Sequence, residues 1–140
     1  NGTFRYVTMK KSILLLLTVV LCLLLTSCGT LNFVDIEESS SEIYTDRDIT
    51  SAMEVVLEEF QGKKDRILLN LSYVGDSEIS DYKDWADRNG ADEVIVFLTD
   101  YYVSFFSDTP TQNTASEYEN WKFILVRSSG GEWEIVDQGY

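Results

Sequence analysis

A short apolar run near the N-terminus limits which part of this chain can fold into a domain. A basic start at residues 9–11 (Met-Lys-Lys) leads into residues 13–25, where only Thr18 and Cys22 interrupt a series of Ile, Leu and Val. A helix that spans a bilayer needs about 20 apolar residues, so this run is too short to do so. A basic segment followed by a short apolar segment is typical of an export signal. We therefore expect residues 9–27 to be a signal peptide, and residues 1–8 to be an upstream over-extension of the reading frame.

The apolar run ends in Leu25-Thr26-Ser27-Cys28. These four residues resemble the lipobox of bacterial lipoproteins, in which a branched apolar residue and two small residues precede a cysteine. The resemblance implies cleavage between Ser27 and Cys28 and a diacylglycerol thioether on Cys28. It also implies a protein anchored by lipid in the cell membrane and facing the extracytoplasmic side, because two or three acyl chains anchor stably where one binds reversibly. The alternative is an ordinary secretory signal with an incidental cysteine.

The chain that remains after cleavage is strongly acidic. Residues 1–27 contain three of the eleven basic residues and none of the twenty-four acidic ones, so residues 28–140 carry a formal charge of −16. This charge argues against a nucleic-acid partner, because phosphate binding depends on clustered Lys and Arg, and against adhesion to anionic lipid. A high density of like charge keeps a tethered domain dispersed, so we expect a monomer. We prefer this interpretation to an electrostatic binding role.

Cysteine and histidine usage excludes several kinds of site. The chain contains two cysteines and no histidine. Cys22 leaves with the expected signal and Cys28 takes the lipid, so no disulfide is predicted, although export would permit one. Without histidine, Ser-His-Asp and Cys-His catalysis are excluded. A zinc site is disfavoured because zinc prefers imidazole and thiolate ligands, and we predict neither a metal nor a cofactor.

The acidic remainder divides into a tether and one domain. Residues 28–41 contain a serine run and scattered acidic residues with little apolar periodicity, which predicts a flexible tether. Residues 42–140 are about one hundred residues with one proline and many aromatic side chains. That length suits a single domain with a single core.

The first half of this domain predicts a helix, a strand and a second helix. Thr45 is a good N-cap and Gly62 a good C-cap, and between them apolar residues recur at the spacing of one helical face. The apolar face comprises Ile49, Ala52, Met53, Val56, Leu57 and Phe60. The solvent face carries Glu54, Glu58 and Glu59. Alternation over residues 66–74 predicts a strand with one buried face. A second helix is predicted over residues 80–88, with a left-handed stop at Asn89-Gly90.

The second half of the domain predicts sheet. Residues 93–103 are rich in Val, Ile, Phe and Tyr and are apolar on both faces at their centre, as in a strand covered on two sides. We expect this strand to form the centre of the core. Polar residues 107–116 predict a loop. Two alternating segments, 118–127 and 132–138, flank Ser128-Ser129-Gly130-Gly131 and predict a β-hairpin.

This order of elements resembles a known architecture. Helix, strand, helix and three strands is similar to nuclear transport factor 2-like and cystatin-like domains. The closing runs 121–127, 131–133 and 136–140 are similar to the C-terminal hairpin of small uncharacterised lipoproteins from gut Firmicutes. The resemblance implies an α+β fold, in which a curved antiparallel sheet of about four strands packs as a cone on one long N-terminal helix, with a short second helix. Fold alone does not choose a function, because members of that fold include enzymes and binding domains.

Two groups of acidic residues are candidate chemical sites. The first group comprises Asp76, Glu78, Asp81 and Asp84. These carboxylates lie close together around a turn and a helix start, where hard oxygens could hold calcium, but carboxylates at a helix start commonly just favour the helix dipole. The second group is Asp137 with Tyr140, near Trp133, as a general acid and base at the mouth of the cone. Without a histidine or a paired nucleophile we expect no catalysis.

Aromatic residues form the third candidate site. Tyr101, Tyr102, Phe105 and Phe106 precede the polar loop, where they would form an exposed patch for a peptide, a glycan or a partner protein. The alternative is that half of them pack in the core. The full candidate surface for a ligand or partner comprises Tyr101, Tyr102, Phe105, Trp121, Trp133 and Tyr140.

These observations favour a non-enzymatic, membrane-anchored module that binds a small ligand or an envelope protein. One alternative is a small hydrolase or isomerase that uses Asp137 or another buried carboxylate in the cone. A second alternative is a structural envelope protein with no dedicated site. The concave side of the sheet discriminates among them, because Trp121, Trp133 and Tyr102 either fill it or line a void.

Overall fold

The computed structural model describes residues 34–37, 40–108 and 110–140. The expected upstream extension (1–8), the expected signal peptide (9–27) and the lipidation position Cys28 lie outside the described residues. Within the described ranges, no helix is long and apolar enough to cross a bilayer.

The described residues form five strands, one long helix and a second helical stretch. The strands are β1 (Asp35–Ile36), β2 (Arg66–Tyr73), β3 (Glu93–Val103), β4 (Ser116–Arg127) and β5 (Glu134–Gly139). The long helix is α1 (Asp46–Gln61), and the second stretch consists of α2 (Asp76–Ile79), a 3-10 turn (Ser80–Tyr82) and α3 (Lys83–Asn89).

The strands form one mixed sheet in the order β1-β2-β3-β4-β5. The strands β2 to β5 run antiparallel to their neighbours, whereas β1 pairs with β2 in parallel. In the central strand β3, the consecutive residues Ile95, Val96 and Phe97 are fully buried. Because successive side chains of a strand point to opposite faces, this burial requires cover on both faces of the sheet. The prediction of a central strand covered on two sides is therefore confirmed.

Local sequence signals set the ends of α1. The Thr45 hydroxyl accepts the backbone N–H of Asp48 at 3.2 Å, and the Asp48 carboxylate accepts the backbone N–H of Thr45 at 3.0 Å. This reciprocal capping box satisfies two N–H groups that the first turn leaves unpaired. At the other end Gly62 is the C-cap, but with a right-handed φ of −69°, so its N–H simply continues the helical pattern to the Glu58 carbonyl. The predicted helix is confirmed, and its buried face comprises Ile49, Ala52, Met53, Val56 and Phe60. Leu57, which was predicted for the same face, is only half-buried.

The two helical regions cover opposite faces of the sheet. On one face, the ring of Phe60 on α1 lies 5.4 Å from that of Tyr101 and 5.7 Å from that of Phe123. On the other face, α3 packs against β3 and β4 with Ala86 buried. The sheet residues buried on that second face are Val94, Val96, Ile124 and Val126. The helix α3 ends at Gly90, whose φ of 65° is the predicted left-handed stop.

The α+β class is confirmed, but two details of the predicted sheet are corrected. The sheet has five strands within the described residues and is mixed, because the segment expected to be a tether contributes β1. The backbone N–H of Glu37 donates to the Leu71 carbonyl at 3.2 Å, which extends this pairing. A strand of two residues is too short to show alternation, so the sequence pattern carries no signal for it. The second helical stretch also begins earlier than predicted, at Asp76, and a 3-10 turn divides it.

Candidate functional site

Side chains fill the face of the sheet that α1 covers. Tyr101, Phe97 and Phe123 are at most 1% exposed. The ring of Tyr101 stacks on that of Tyr118 with centroids 5.3 Å apart, and Gln112 donates to its hydroxyl. Tyr101 was expected on a ligand-binding surface, and the structure places it in the core instead, because its side of β3 faces α1.

Trp133 is also buried rather than exposed. It is 5% exposed and meets the ring of Tyr44 edge to face at 6.1 Å. The guanidinium of Arg127 lies over its ring, 4.3 Å from the ring centroid, within the range of a cation–π interaction. Trp133 is therefore a packing element between the sheet and the segment that precedes α1.

The other predicted aromatic residues do not form one patch. Phe105 and Phe106 are 70% and 87% exposed on the loop between β3 and β4. Tyr140 is exposed at the end of β5, where its ring meets the half-buried Trp121 at 5.0 Å. Tyr102 is half-buried on the face of the sheet opposite α1. The candidate surface thus divides into a loop pair and residues that lie elsewhere on the domain.

The acidic residues around the second helical stretch make structural contacts. The Asp76 carboxylate accepts hydrogen bonds from the Ser41 hydroxyl at 2.5 Å, the backbone N–H of Glu42 at 2.7 Å and the Tyr73 hydroxyl at 2.9 Å. These bonds, that of Ser41 foremost, hold the pKa of Asp76 below its usual value. Over the described ranges, no group of three or more Asp, Glu or Cys side chains is placed to hold a metal ion. Asp76 instead ties the segment before α1 to the end of β2.

The carboxylate required by the hydrolase alternative is not found in the described part of the chain. Asp137 is exposed on the edge strand β5. Among described residues other than tyrosine and tryptophan, the only buried polar side chain is that of Thr99, which donates to the Trp121 carbonyl at 3.0 Å. The described face of the sheet that α1 covers therefore carries no buried carboxylate.

Arg127 joins α1 to the sheet at the start of β3. Its Nη1 lies 2.7 Å from the carboxylate of Asp48 on α1. Its Nε and Nη2 donate to the carboxylate of Glu93 on β3 at 2.5 and 3.1 Å. The hydrogen bonds from Thr45 and from Arg127 lower the pKa of Asp48 to about 2. Charge-assisted hydrogen bonds of this geometry hold the guanidinium in place against one face of the Trp133 ring.

A groove lies beside this cluster, between α1 and the loop that connects β4 and β5. It has a cavity volume of about 730 Å³, which is within the range of about 300–1,000 Å³ typical of ligand sites. We name it the hairpin groove. From α1 it is lined by Arg47, Asp48, Ser51, Glu54, Val55 and Glu58, and from the hairpin by Arg127, Gly130, Gly131, Glu132 and Trp133.

The hairpin groove is acidic. Of its two cations, Arg127 is already paired with Asp48, which leaves Glu54, Glu58 and Glu132 against Arg47. No ion pair among the described residues involves any of these three glutamates. Glu54 and Glu58 stand at positions i and i+4 of α1, where like charges repel and cost a few tenths of a kcal/mol. This like-charged pair is the one sequence signal for the groove, although the spacing alone indicates no more than a solvent-facing helix side.

One residue that lines the groove carries a buried hydrogen-bond donor without a partner. The indole Nε1 of Trp133 is buried and has no acceptor in the described part of the chain. A buried donor left unpaired costs about 1–3 kcal/mol. Because this N–H is buried, the feature that the groove offers to a ligand is its excess negative charge.

Comparison of the chain with models of protein families, with curated proteins and with solved structures found no match.

Proposed function

We propose that this protein is a lipid-anchored, extracytoplasmic binding module whose hairpin groove binds a positively charged ligand. The run Leu25-Thr26-Ser27-Cys28 supports the anchor through its resemblance to a lipobox. The helix α1 lying across one face of the sheet agrees with the proposed cone-like architecture of nuclear transport factor 2-like and cystatin-like domains. The observation that carries the binding role is the acidic groove of about 730 Å³ beside Trp133.

The charge of the ligand follows from the groove lining. Glu54 and Glu58 repel each other from adjacent turns of α1, and Glu132 adds a third carboxylate from the hairpin loop. Opposite charges at 4 Å attract by about 1 kcal/mol in water and by several times more where the protein excludes water. A primary ammonium group placed among the three carboxylates relieves their repulsion and gains this attraction.

The charge and the walls of the groove indicate the class of ligand. A lysine side chain carries a compact cationic ammonium at the end of a flexible apolar stem. The ammonium can lie among the carboxylates while the stem packs on apolar groove residues, which include Val55 and Trp133. We propose a basic peptide segment as the ligand class and no catalytic role for the groove.

Nuclear magnetic resonance of the tryptophan side chains tests this proposal. The chain contains three tryptophans, Trp85, Trp121 and Trp133, so the lipidated protein in neutral detergent micelles has three indole N–H signals. We expect end-blocked trilysine to shift the Trp133 signal in a saturable manner and to leave the other two in place. We expect the affinity to fall with added salt, because salt screens exposed charges over about 10 Å at 0.1 M.

Matched charge variants distinguish the groove from the general acidity of the domain. The double variant E54Q/E58Q removes two groove carboxylates, whereas E117Q/E119Q removes two exposed carboxylates of β4. We expect the first to weaken trilysine binding by at least about tenfold, equivalent to 1.4 kcal/mol, and the second to weaken it little. Equal weakening by both variants, or a Trp133 signal that does not move, would count against the groove. End-blocked triglutamine is the uncharged control peptide.

A further inference from the structure

The loop after β3 and the turn before β2 form one end of the domain, which we name the tip (residues 62–66 and 104–107). The backbone N–H of Ser104 donates to the Asp65 carbonyl at 2.8 Å. The Ser107 hydroxyl donates to the Asp65 carboxylate at 2.5 Å. These two bonds hold the loop and the turn side by side, so the tip is a defined surface.

The tip carries an exposed apolar pair. Phe105 and Phe106 are 70% and 87% exposed, and their rings contact each other edge to face at 5.5 Å. One position into the sheet, the exposed Ile67 stands opposite the half-buried Tyr102. Single exposed apolar side chains are common on protein surfaces. Two adjacent exposed phenylalanines in the turn that follows β3 indicate a contact with an apolar phase.

The tip is also the most basic segment of an acidic domain. Lys63, Lys64 and Arg66 provide three of the eight basic residues of the region 28–140 within four consecutive positions. Lys64 is exposed, Lys63 pairs with Glu59, and the guanidinium of Arg66 lies 5.8 Å from the ring centroid of Tyr101. Net charge argues against adhesion to anionic lipid, but the local charge of the tip has the opposite sign. Aromatic residues and lysines together are typical of segments that lie at the interface between bilayer and water.

The direction of β1 relates the tip to the expected anchor. Because β1 runs parallel to β2, with Asp35 opposite Asn70, the chain enters β1 from the side of the sheet where β2 begins. The tip lies on that side. From Asn70 back to Arg66 is four residues, which at the rise of a strand places the tip roughly 13 Å from Asp35. Cys28 lies seven positions before Asp35 in sequence, and a chain of seven residues spans at most about 25 Å. The expected lipid on Cys28 is therefore within reach of the bilayer plane that touches the tip.

We propose that the tip is a second membrane contact, in which Phe105 and Phe106 insert among the lipid headgroups while Lys64 faces lipid phosphates. The contact involves the same bilayer that holds the lipid on Cys28, so this inference rests on the proposed anchor. The tip contact fixes the orientation of the domain, because a domain attached to the bilayer at two points cannot tumble freely as it can on a single anchor.

A fluorescent label near the tip tests this orientation. Cys22 leaves with the signal and Cys28 is lipidated, so a single introduced cysteine is the only free thiol of the mature chain. The variants D108C and E132C place an environment-sensitive fluorophore beside the tip and on the opposite hairpin loop, both at exposed positions. The lipidated proteins are reconstituted into vesicles of phosphatidylcholine and phosphatidylglycerol with and without brominated acyl chains. We expect bromine to quench the label at position 108 and to leave the label at position 132 unquenched.

Two further variants separate the aromatic and basic contributions. In the D108C protein, the double change F105S/F106S should reduce quenching to the level of E132C, and K64Q should reduce it in vesicles with phosphatidylglycerol only. Unquenched label at position 108 on protein that floats with the vesicles would overturn the tip contact and leave the anchor intact. Quenching that survives F105S/F106S would overturn the role of the phenylalanines. Protein that does not float with vesicles would overturn the anchor and the tip contact together.

Discussion

Replacing Arg127 by methionine tests whether one guanidinium holds α1 against the sheet. In the native protein this group lies 2.7 Å from Asp48 on α1 and 2.5 Å from Glu93 on β3. It also stacks on Trp133 at 4.3 Å. The methionine side chain is flexible, apolar and similar in length to that of arginine. It therefore keeps contact with the indole of Trp133 while both ion pairs are removed.

The exposure of the partners sets the expected magnitude. The side chain of Arg127 is 10% exposed, whereas those of Asp48 and Glu93 are 25% and 32% exposed. Removing one partner of a fully buried pair costs about 3–5 kcal/mol, and an exposed pair contributes about 0–1 kcal/mol. Because both carboxylates here are partly hydrated, an intermediate value applies, to which the lost cation–π contact adds about 0.5–1 kcal/mol. We expect the free energy of unfolding of R127M to fall by about 2–3 kcal/mol.

Urea unfolding followed by tryptophan fluorescence measures this loss, and its dependence on pH identifies the cause. The pKa of Asp48 is lowered to about 2 by Thr45 and Arg127, so its charged form stabilises the fold above pH 4 and that stability is lost as the pH falls from about 4 to 2. For a group this hydrated we expect about 1 kcal/mol from the shift, and a smaller acid dependence in R127M. The control K122M removes a cation of the same strand that forms no ion pair among the described residues. A loss below about 0.5 kcal/mol in R127M, or an acid dependence equal to that of the native protein, would refute the reasoning.

Three further changes test the packing and the backbone. Gly90→Ala should destabilise the protein by about 1 kcal/mol, because φ at this position is +65°, whereas Gly139→Ala, with open space around it, should change stability by less than about 0.5 kcal/mol in the same urea assay. Phe60→Ala removes the ring that contacts Tyr101 and should cost about 3–5 kcal/mol, so a loss below about 1 kcal/mol would contradict the packing of α1. Burial, with the nearby charge of Glu93, raises the pKa of Tyr44 to about 12. Stability from its neutral phenol is therefore present below pH 10 and lost towards pH 12. Burial, with the hydrogen bond to Asp76, also raises the pKa of Tyr73, so an absorbance titration of Y44F should show one late-titrating tyrosine fewer than the native protein, and an unchanged number would reassign the pKa.

The sequence predicts the elements whose determinants are local. The helix α1 has its N-cap at Thr45, its apolar face and its terminal Gly62 within one continuous segment, and all three are observed. The strand β3 is recognisable because consecutive apolar residues require cover on two sides. Gly62 ends the helix, but it does not adopt the left-handed conformation that favours glycine at a C-cap, since its φ is right-handed. Any residue can occupy a right-handed C-cap, so the presence of a glycine does not show in advance which conformation ends the helix.

The features that depend on distant pairings were not predictable from the sequence. Two adjacent tyrosines, Tyr101 and Tyr102, must face opposite sides of a strand, but which of them meets α1 depends on the register of β3 with its neighbours. That register includes an irregularity between Thr99 and Tyr101, which no local pattern reveals. The hairpin groove is formed by α1 and by a loop about seventy residues later in the chain. Glu54 and Glu58 therefore resemble an ordinary solvent-facing side of a helix in the sequence, and only the topology places Glu132 in the same groove.

The antiparallel topology separates the tip from the groove. Successive connections of antiparallel strands lie at alternate ends of a sheet, so the loop after β3 belongs to the tip and the loop after β4 to the groove. The strand β3 has eleven residues, and at about 3.4 Å per residue it holds these ends roughly 34 Å apart. A tip at the bilayer therefore directs the groove away from the membrane. Salt screens the negative lipid surface within about 8 Å at physiological ionic strength. At roughly 34 Å that surface does not compete with Glu54, Glu58 and Glu132 for a cationic ligand. Binding of trilysine to the groove should therefore be independent of the phosphatidylglycerol content of the vesicles.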